Sequence, residues 1–288
     1  MPDRRRNIGA SVRQRLLNLA HARGQPMELL LTRYALERLL HRLSLSSHRE
    51  RFVLKGAMLL ATWFDEPHRA TGDVELLGFG DPAHDALLAT FREIMAVEVD
   101  DGVSFDLKGL RIEAIREEVE YGGSRLRTTA ALAGGRIPIT VDIGFGDAVE
   151  PGIEDIDLPV LLYMPSPHLR SYPPETVIAE KFHAMVALGR ANSRMKDYYD
   201  VWMLTESFEL EPQRMRRAIK ATFARRNTEI PASVPDGLSD AFAADAGKQR
   251  QWDAFAATLS GKVPQLDRVV RELRKKPMVF IAPRVDGP

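Results

Sequence analysis

Pro159, Pro165, Pro167, Pro173 and Pro174 punctuate one short stretch of this chain. Proline lacks an amide proton and fixes φ, so neither a helix interior nor a central strand runs through such a stretch. The segments before and after it should therefore fold largely apart. Before the prolines, apolar residues recur with both strand and helix spacing; after them the spacing is helical. We place the boundary near residue 165, giving segments 1–165 and 166–288. The expected class is α+β: a mixed-sheet domain with flanking helices, followed by a helical C-terminal domain.

Residues 11–22 read as a helix carrying Leu16, Leu17 and Leu19, broken by Gly24–Gln25–Pro26. A second helix over 27–43 carries Leu29, Leu30, Tyr34, Leu36, Leu39 and Leu40, and the Arg and His residues between them predict a wet, basic face. Phe52–Val53–Leu54 reads as a buried strand that ends at Lys55–Gly56 and leads into a short helix over 57–63. Residues 73–77, 107–117, 124–133 and 137–143 read as strands, and 85–95 as a helix, with turns at Tyr121–Gly122–Gly123 and Gly134–Gly135. Beyond the prolines, helices are expected over 174–189, 194–206, 212–226 and 263–275. Residues 228–250 read as loop with short helical pieces, and the tail after Pro277 as a short strand or loose end.

Lys plus Arg and Asp plus Glu each number 40, so the bulk charge is zero. That balance excludes a general nucleic-acid coat but permits a local basic groove. With no cysteine, disulfides, thiolate zinc sites and cysteine nucleophiles are excluded. No stretch approaches the ~18 apolar residues that span a membrane, so a cytoplasmic protein without a membrane partner is expected. The histidines show no paired ligand spacing. His68 and His183 lie nearest the candidate site described next, where a lone histidine is more often structural.

Three carboxylates stand in unusual places. Asp73 and Glu75 alternate with Val74 and Leu76, so on a strand both point to one face. Asp142, between Val141 and Ile143, points with Thr140 away from the apolar face. Together they make a compact oxygen cluster of the kind that Mg²⁺ prefers and shares with substrate phosphates. Metal ions so held can clamp the attacking and leaving oxygens of a phosphoryl displacement. The expected metal ligands are therefore Asp73, Glu75 and Asp142. A glycine after the buried strand lets backbone approach a phosphate, and the helix start beyond it favours the anion. Lys55, Gly56 and Ala57 become candidate nucleotide contacts.

Gly56–Ala57, then Asp73–Val74–Glu75–Leu76, then Val141–Asp142–Ile143 resembles the motif order of the nucleotidyltransferase superfamily that includes DNA polymerase β. The likeness narrows over Phe52–Val53–Leu54–Lys55–Gly56–Ala57–Met58–Leu59–Leu60 and over Arg69–Ala70–Thr71–Gly72–Asp73–Val74–Glu75–Leu76–Leu77–Gly78. With residues 141–147 and Arg194–Met195–Lys196–Asp197–Tyr198–Tyr199–Asp200, these segments are similar to the AbiEii/AbiGii toxin family of type IV toxin–antitoxin systems. The resemblance spans about residues 8–260. Two departures stand out: Ala57 replaces the usual Gly or Ser, and Glu75 replaces the family's Asp.

Lys181 falls within the apolar sector of its helix, near Val177, Ala184, Met185 and Leu188, so its ammonium must find a carboxylate or a phosphate. We read it as facing nucleotide phosphates. Asp197 and Asp200, three apart on the next helix, share one face. The resemblance implies that Lys181 and Asp197 are active-site residues and that Thr71 lines the nucleotide site. It further implies transfer of a nucleotide from an NTP to an acceptor hydroxyl, the tRNA 3′ end in the tRNA-modifying members, and a separately encoded antitoxin. Arg214, Arg217 and Lys220, with basic residues of the last helix such as Arg268 and Arg271, are candidates for an RNA track. A protein acceptor, or a catalytically weak relative that senses nucleotide or RNA, remains open at this level.

Overall fold

The longest run of alternating burial lies in the hairpin that builds the sheet. Along Gly123–Leu132 and Gly135–Phe145, Leu126, Ala130, Leu132, Ile137, Ile139, Val141 and Ile143 point inward and are buried. Ala133 and Gly134, both at positive φ, form the two-residue turn that fits the right-handed twist of the strands. Around this hairpin a computed structural model of the chain describes residues 2–64, 71–115, 122–259 and 261–281, with side chains described from 8 to 276 within those ranges. His68, Arg69, Ala70 and Tyr121, and the tail after Ile281, lie outside the described residues.

In chain order the first part contains helices α1 (Pro2–Arg23) and α2 (Met27–Leu45), strand β1 (Phe52–Lys55), a 3₁₀ turn at Gly56–Leu59 and one helical turn, α3 (Leu60–Trp63). It continues through β2 (Val74–Gly78), α4 (His84–Ala96), β3 (Val103–Phe105), β4 (Arg111–Ile115), β5 (Gly123–Leu132), β6 (Gly135–Phe145), β7 (Glu154–Asp157) and β8 (His168–Ser171). The strands form one mixed sheet in the order β3-β5-β6-β2-β1-β8-β7, with β4 also on β5. β2 runs parallel to β6 and β1 parallel to β8; the remaining pairs are antiparallel. Helices α1, α2 and α4 pack on the sheet's apolar residues.

The wet basic face expected on α2 is not what forms. Arg38, His41 and Arg42 are buried. Arg42 makes a bidentate bridge to buried Asp101 at 2.6 and 3.1 Å, and Arg38 donates twice to the Pro165 carbonyl at 3.1 Å. Their partners lie far along the chain, so helical spacing alone shows the cations without what neutralises them. Arg42 stays buried because Asp101 pairs with it, and Arg38 is held by a carbonyl; burial, with the neighbouring Arg38, lowers the pKa of His41 and so disfavours its charged form.

The second part contains α5 (Pro174–Leu188), α6 (Met195–Ser207), α7 (Pro212–Arg225), α8 (Asp240–Ala244), α9 (Ala246–Ala256) and α10 (Leu266–Ile281). Pro174 opens α5, where its missing amide proton is no loss and its φ suits the helix. Phe182, Tyr198, Leu204, Ile219, Phe223, Val270 and Leu273 fill the core of this part. α6 starts at Met195, with Arg194 rather than Ser193 preceding it; the side-chain acceptor here is Asn192, which takes the Arg194 amide at 2.9 Å. The tail expected to leave the fold at Pro277 instead continues α10 to Ile281.

By backbone contacts the chain divides into two units, Met1–Gly146 with Glu154–Ser171, and Asp147–Ile153 with Tyr172–Pro288. Pro159, Pro165 and Pro167 go with the sheet unit, where β8 pairs with β1, and Pro173 and Pro174 with the helical one. Residues 147–153 go with the helical unit, where Thr176 donates to the Glu150 carbonyl at 2.6 Å. Among the described residues no helix is long and apolar enough to cross a membrane.

Candidate active site

One face of the sheet is polar, and strand register makes it a row. Lys55 on β1 stands opposite Glu75 on β2, Glu75 beside Asp142 on β6, Asp142 opposite Arg125 on β5, and Arg125 opposite Glu113 on β4. Parallel neighbours such as Glu75 and Asp142 lie about 4.8 Å apart across the sheet. Asp73 sits one residue before β2 rather than on it, and adjoins the same row. The strand does not start early enough to carry Thr71. That hydroxyl nonetheless reaches the site through the turn, donating to Asp73 Oδ1 at 2.8 Å.

Gly56 has a φ of +75°, and a Cβ built there would meet the Glu75 carboxyl carbon at 2.5 Å and its oxygens at 2.7 and 2.8 Å. The glycine therefore makes room for Glu75. The helical pieces after it, a 3₁₀ turn and four α-helical residues, are too short to supply the helix-start field expected from the sequence. Ala57 is buried. Gly56→Ala should lower stability by about 1–2 kcal/mol through backbone strain. It should also push Glu75 aside, cutting activity further than the stability loss explains; thermal melts beside initial rates check this.

Arg125 is the residue that motif reading misses. Its Nε and Nη2 donate to Asp142 Oδ1 and Oδ2 at 2.7 and 2.6 Å, a bidentate, half-buried pair. Those bonds hold Arg125 protonated even more firmly than an ordinary arginine, and the fields of Asp73 and Glu113 add to the effect. Among the described residues no three His, Asp or Glu side chains already converge as a metal site. The carboxylates are brought onto one face, but Asp142 is engaged by a cation.

The helical unit holds a separate charged centre. Lys181 Nζ lies 2.6 Å from Asp197 Oδ1 and 2.9 Å from Asp200 Oδ2, and both acids are essentially buried. Arg194 Nε is 2.7 Å from Asp197 Oδ2, off the line of a hydrogen bond. The partner that burial demands of Lys181 is therefore a pair of carboxylates. Arg214 and Arg217 are likewise engaged, by Glu175 at 2.6 Å and Glu150 at 3.8 Å. Lys220 is exposed. On α10, Arg268 and Arg271 form exposed i,i+4 pairs with Glu272 and Asp267.

His183 serves packing. Its Nδ1 accepts from Arg226 at 3.2 Å and its Nε2–H donates to Thr228 Oγ1 at 2.9 Å. Burial, then the Arg226 charge, pulls its pKa from 6.5 down to about 4. The unfolded chain takes up a proton that the folded chain refuses, so this contribution is whole above pH 6.5 and is lost as pH falls toward 4. Urea unfolding should show a loss on the order of 2–3 kcal/mol by about pH 4.5 that His183→Gln removes.

A mixed sheet with acids gathered on one face, followed by a helical unit, is a nucleotidyltransferase fold. A solved structure of a candidate nucleotidyltransferase from H. pylori shares it with a TM-score of 0.52 at 15% identity, covering 87% of this chain and 94% of that one. JHP933 from Helicobacter pylori aligns at a TM-score of 0.49 and 14% identity, over 87% and 91% of the two chains. No protein of curated function matches the chain. The model of the nucleotidyl transferase AbiEii toxin family, a type IV toxin–antitoxin system, matches residues 38–275, and the chain belongs to that family.

Proposed function

We propose that this protein is a Mg²⁺-dependent toxin that transfers a nucleoside monophosphate from an NTP to the 3′-terminal hydroxyl of a tRNA, blocking translation. The observation that carries the reading is the register of Glu75 with Asp142, with Asp73 beside them, on the polar face of the sheet. Family membership supports nucleotidyl transfer and an antitoxin partner. We take that antitoxin to be separately encoded.

The donor set fits a divalent hard cation: three carboxylates on neighbouring positions, with no softer ligand among them. Asp73 and Glu75 would hold it, joined by Asp142 once Arg125 lets go. When bound, the ion supplies charge neutralisation on the phosphates. Thr71 fixes the orientation of the Asp73 carboxylate. Lys55 and the backbone of Gly56 and Ala57 bind the triphosphate. Asp142 accepts a hydrogen bond from the acceptor hydroxyl and orients it. The acceptor oxygen bonds to the α-phosphorus as the bond to pyrophosphate breaks, and the hydroxyl proton passes to solvent. By resemblance to the family, Lys181 and Asp197 also act in transfer.

The bidentate Arg125–Asp142 pair, together with Glu75 and Ala57 in place of the family's residues, favours a second reading: a relative held at low activity that acts by binding nucleotide or RNA. Turnover of an α-labelled NTP separates the two. Digesting the labelled product with RNase or protease then tells an RNA acceptor from a protein one.

A further inference from the structure

The polar row continues past Asp142. Strands β4 and β5 border a groove of about 420 Å³ lined by Arg111, Glu113, Arg125, Arg127 and Thr129, among others. We propose that this groove binds the phosphodiester backbone of the RNA acceptor, an assignment that rests on the nucleotidyl-transfer reading above.

Asp142 takes up Arg125, which leaves Arg111 and Arg127 in the groove with one carboxylate, Glu113. The Arg127–Glu113 bridge is 2.7 Å long, but its side chains are 55% and 54% exposed. Such a surface pair contributes only about 0–1 kcal/mol, so an arriving phosphate displaces Glu113 at little cost. Arginine's planar fork suits phosphate oxygens better than a lysine's point charge does. Arg111 stands opposite Arg127 in register, so the two present their charges side by side. Thr129, on the same face as Arg127, adds a half-buried hydroxyl.

Position supplies the second argument. Attacking and leaving oxygens lie on opposite sides of the reacting phosphorus. The row runs Lys55, Glu75, Asp142, Arg125. If the leaving end of the triphosphate lies over Lys55 and Gly56, the attacking strand must arrive from the β5 side, where the groove opens. Arg125 joins groove to site: it lines the first and grips Asp142 in the second.

The test is tRNA binding by fluorescence anisotropy across a salt series, beside the thermal shift produced by each NTP with Mg²⁺. Arg111→Gln/Arg127→Gln should weaken tRNA binding about tenfold or more and lower the salt slope by roughly one unit per arginine lost. NTP-induced shifts should stay as in the wild type. Arg250→Gln/Lys262→Gln, which removes two charges from the exposed surface of the helical unit, should change neither. Unchanged tRNA affinity in the groove variant, or equal weakening in the control variant, overturns the assignment while leaving nucleotidyl transfer standing. Loss of the NTP shifts also overturns it, assigning the groove to the triphosphate. A wild-type protein that binds no tRNA overturns the RNA acceptor and the groove together.

Discussion

Asp73→Asn is expected to reduce nucleotide transfer by at least about a thousandfold, roughly 4 kcal/mol of transition-state stabilisation. The midpoint of thermal unfolding should not move with it. Asp73 is half-exposed just before β2, and its carboxylate accepts from the Thr71 hydroxyl. An amide preserves the shape and the hydrogen bond but removes the negative charge that a divalent cation requires. Thr71→Val, which leaves the charge and removes only the hydroxyl, should cost far less. Initial rates for the two variants, beside their melting curves, check the pair.

Lys181→Ala carries the other large effect, and here stability and activity fall together. Asp197 and Asp200 have 0% and 1% side-chain exposure, and Lys181 bridges both. Removing one partner from a buried pair costs roughly 3–5 kcal/mol. With Arg194 still 2.7 Å from Asp197, the lower end applies. A loss of about 3 kcal/mol lowers the melting temperature by roughly 6–12 °C. An inactive Lys181→Ala protein therefore says little about chemistry by itself. Lys181→Arg separates the roles: it keeps the buried charge and most of the stability, but it places a planar fork where a compact ammonium stood. If Lys181 acts in transfer, Lys181→Arg stays impaired at temperatures where it is fully folded.

How far these features are legible in the sequence depends on the reach of the interaction concerned. β1, β2, β5 and β6 are readable because their apolar residues are dense and glycines end them. The short strands β3, β7 and β8 are not: Glu154–Asp157, at the sheet edge, contains a single apolar residue and exists as a strand only because β8 lies beside it. The acids Asp73, Glu75 and Asp142 show themselves by standing between apolar neighbours. Arg125 does not, because its role depends on hairpin register. With Gly134–Gly135 as the two-residue loop, Asp142 would face Arg127; with Ala133–Gly134, which forms, it faces Arg125. The arginines of α7 follow the same rule. Glu175 and Glu150 are distant in sequence from Arg214 and Arg217, so charge spacing along α7 shows the cations without their partners.

The most direct test of the account is to incubate purified protein with total tRNA, Mg²⁺ and each α-³²P-labelled NTP in turn, with Asp73→Asn alongside. The account predicts RNase-sensitive label on tRNA from at least one NTP, present with the wild type and absent with the variant. Equal labelling by both proteins, or no label from any NTP by folded wild-type protein, would contradict it.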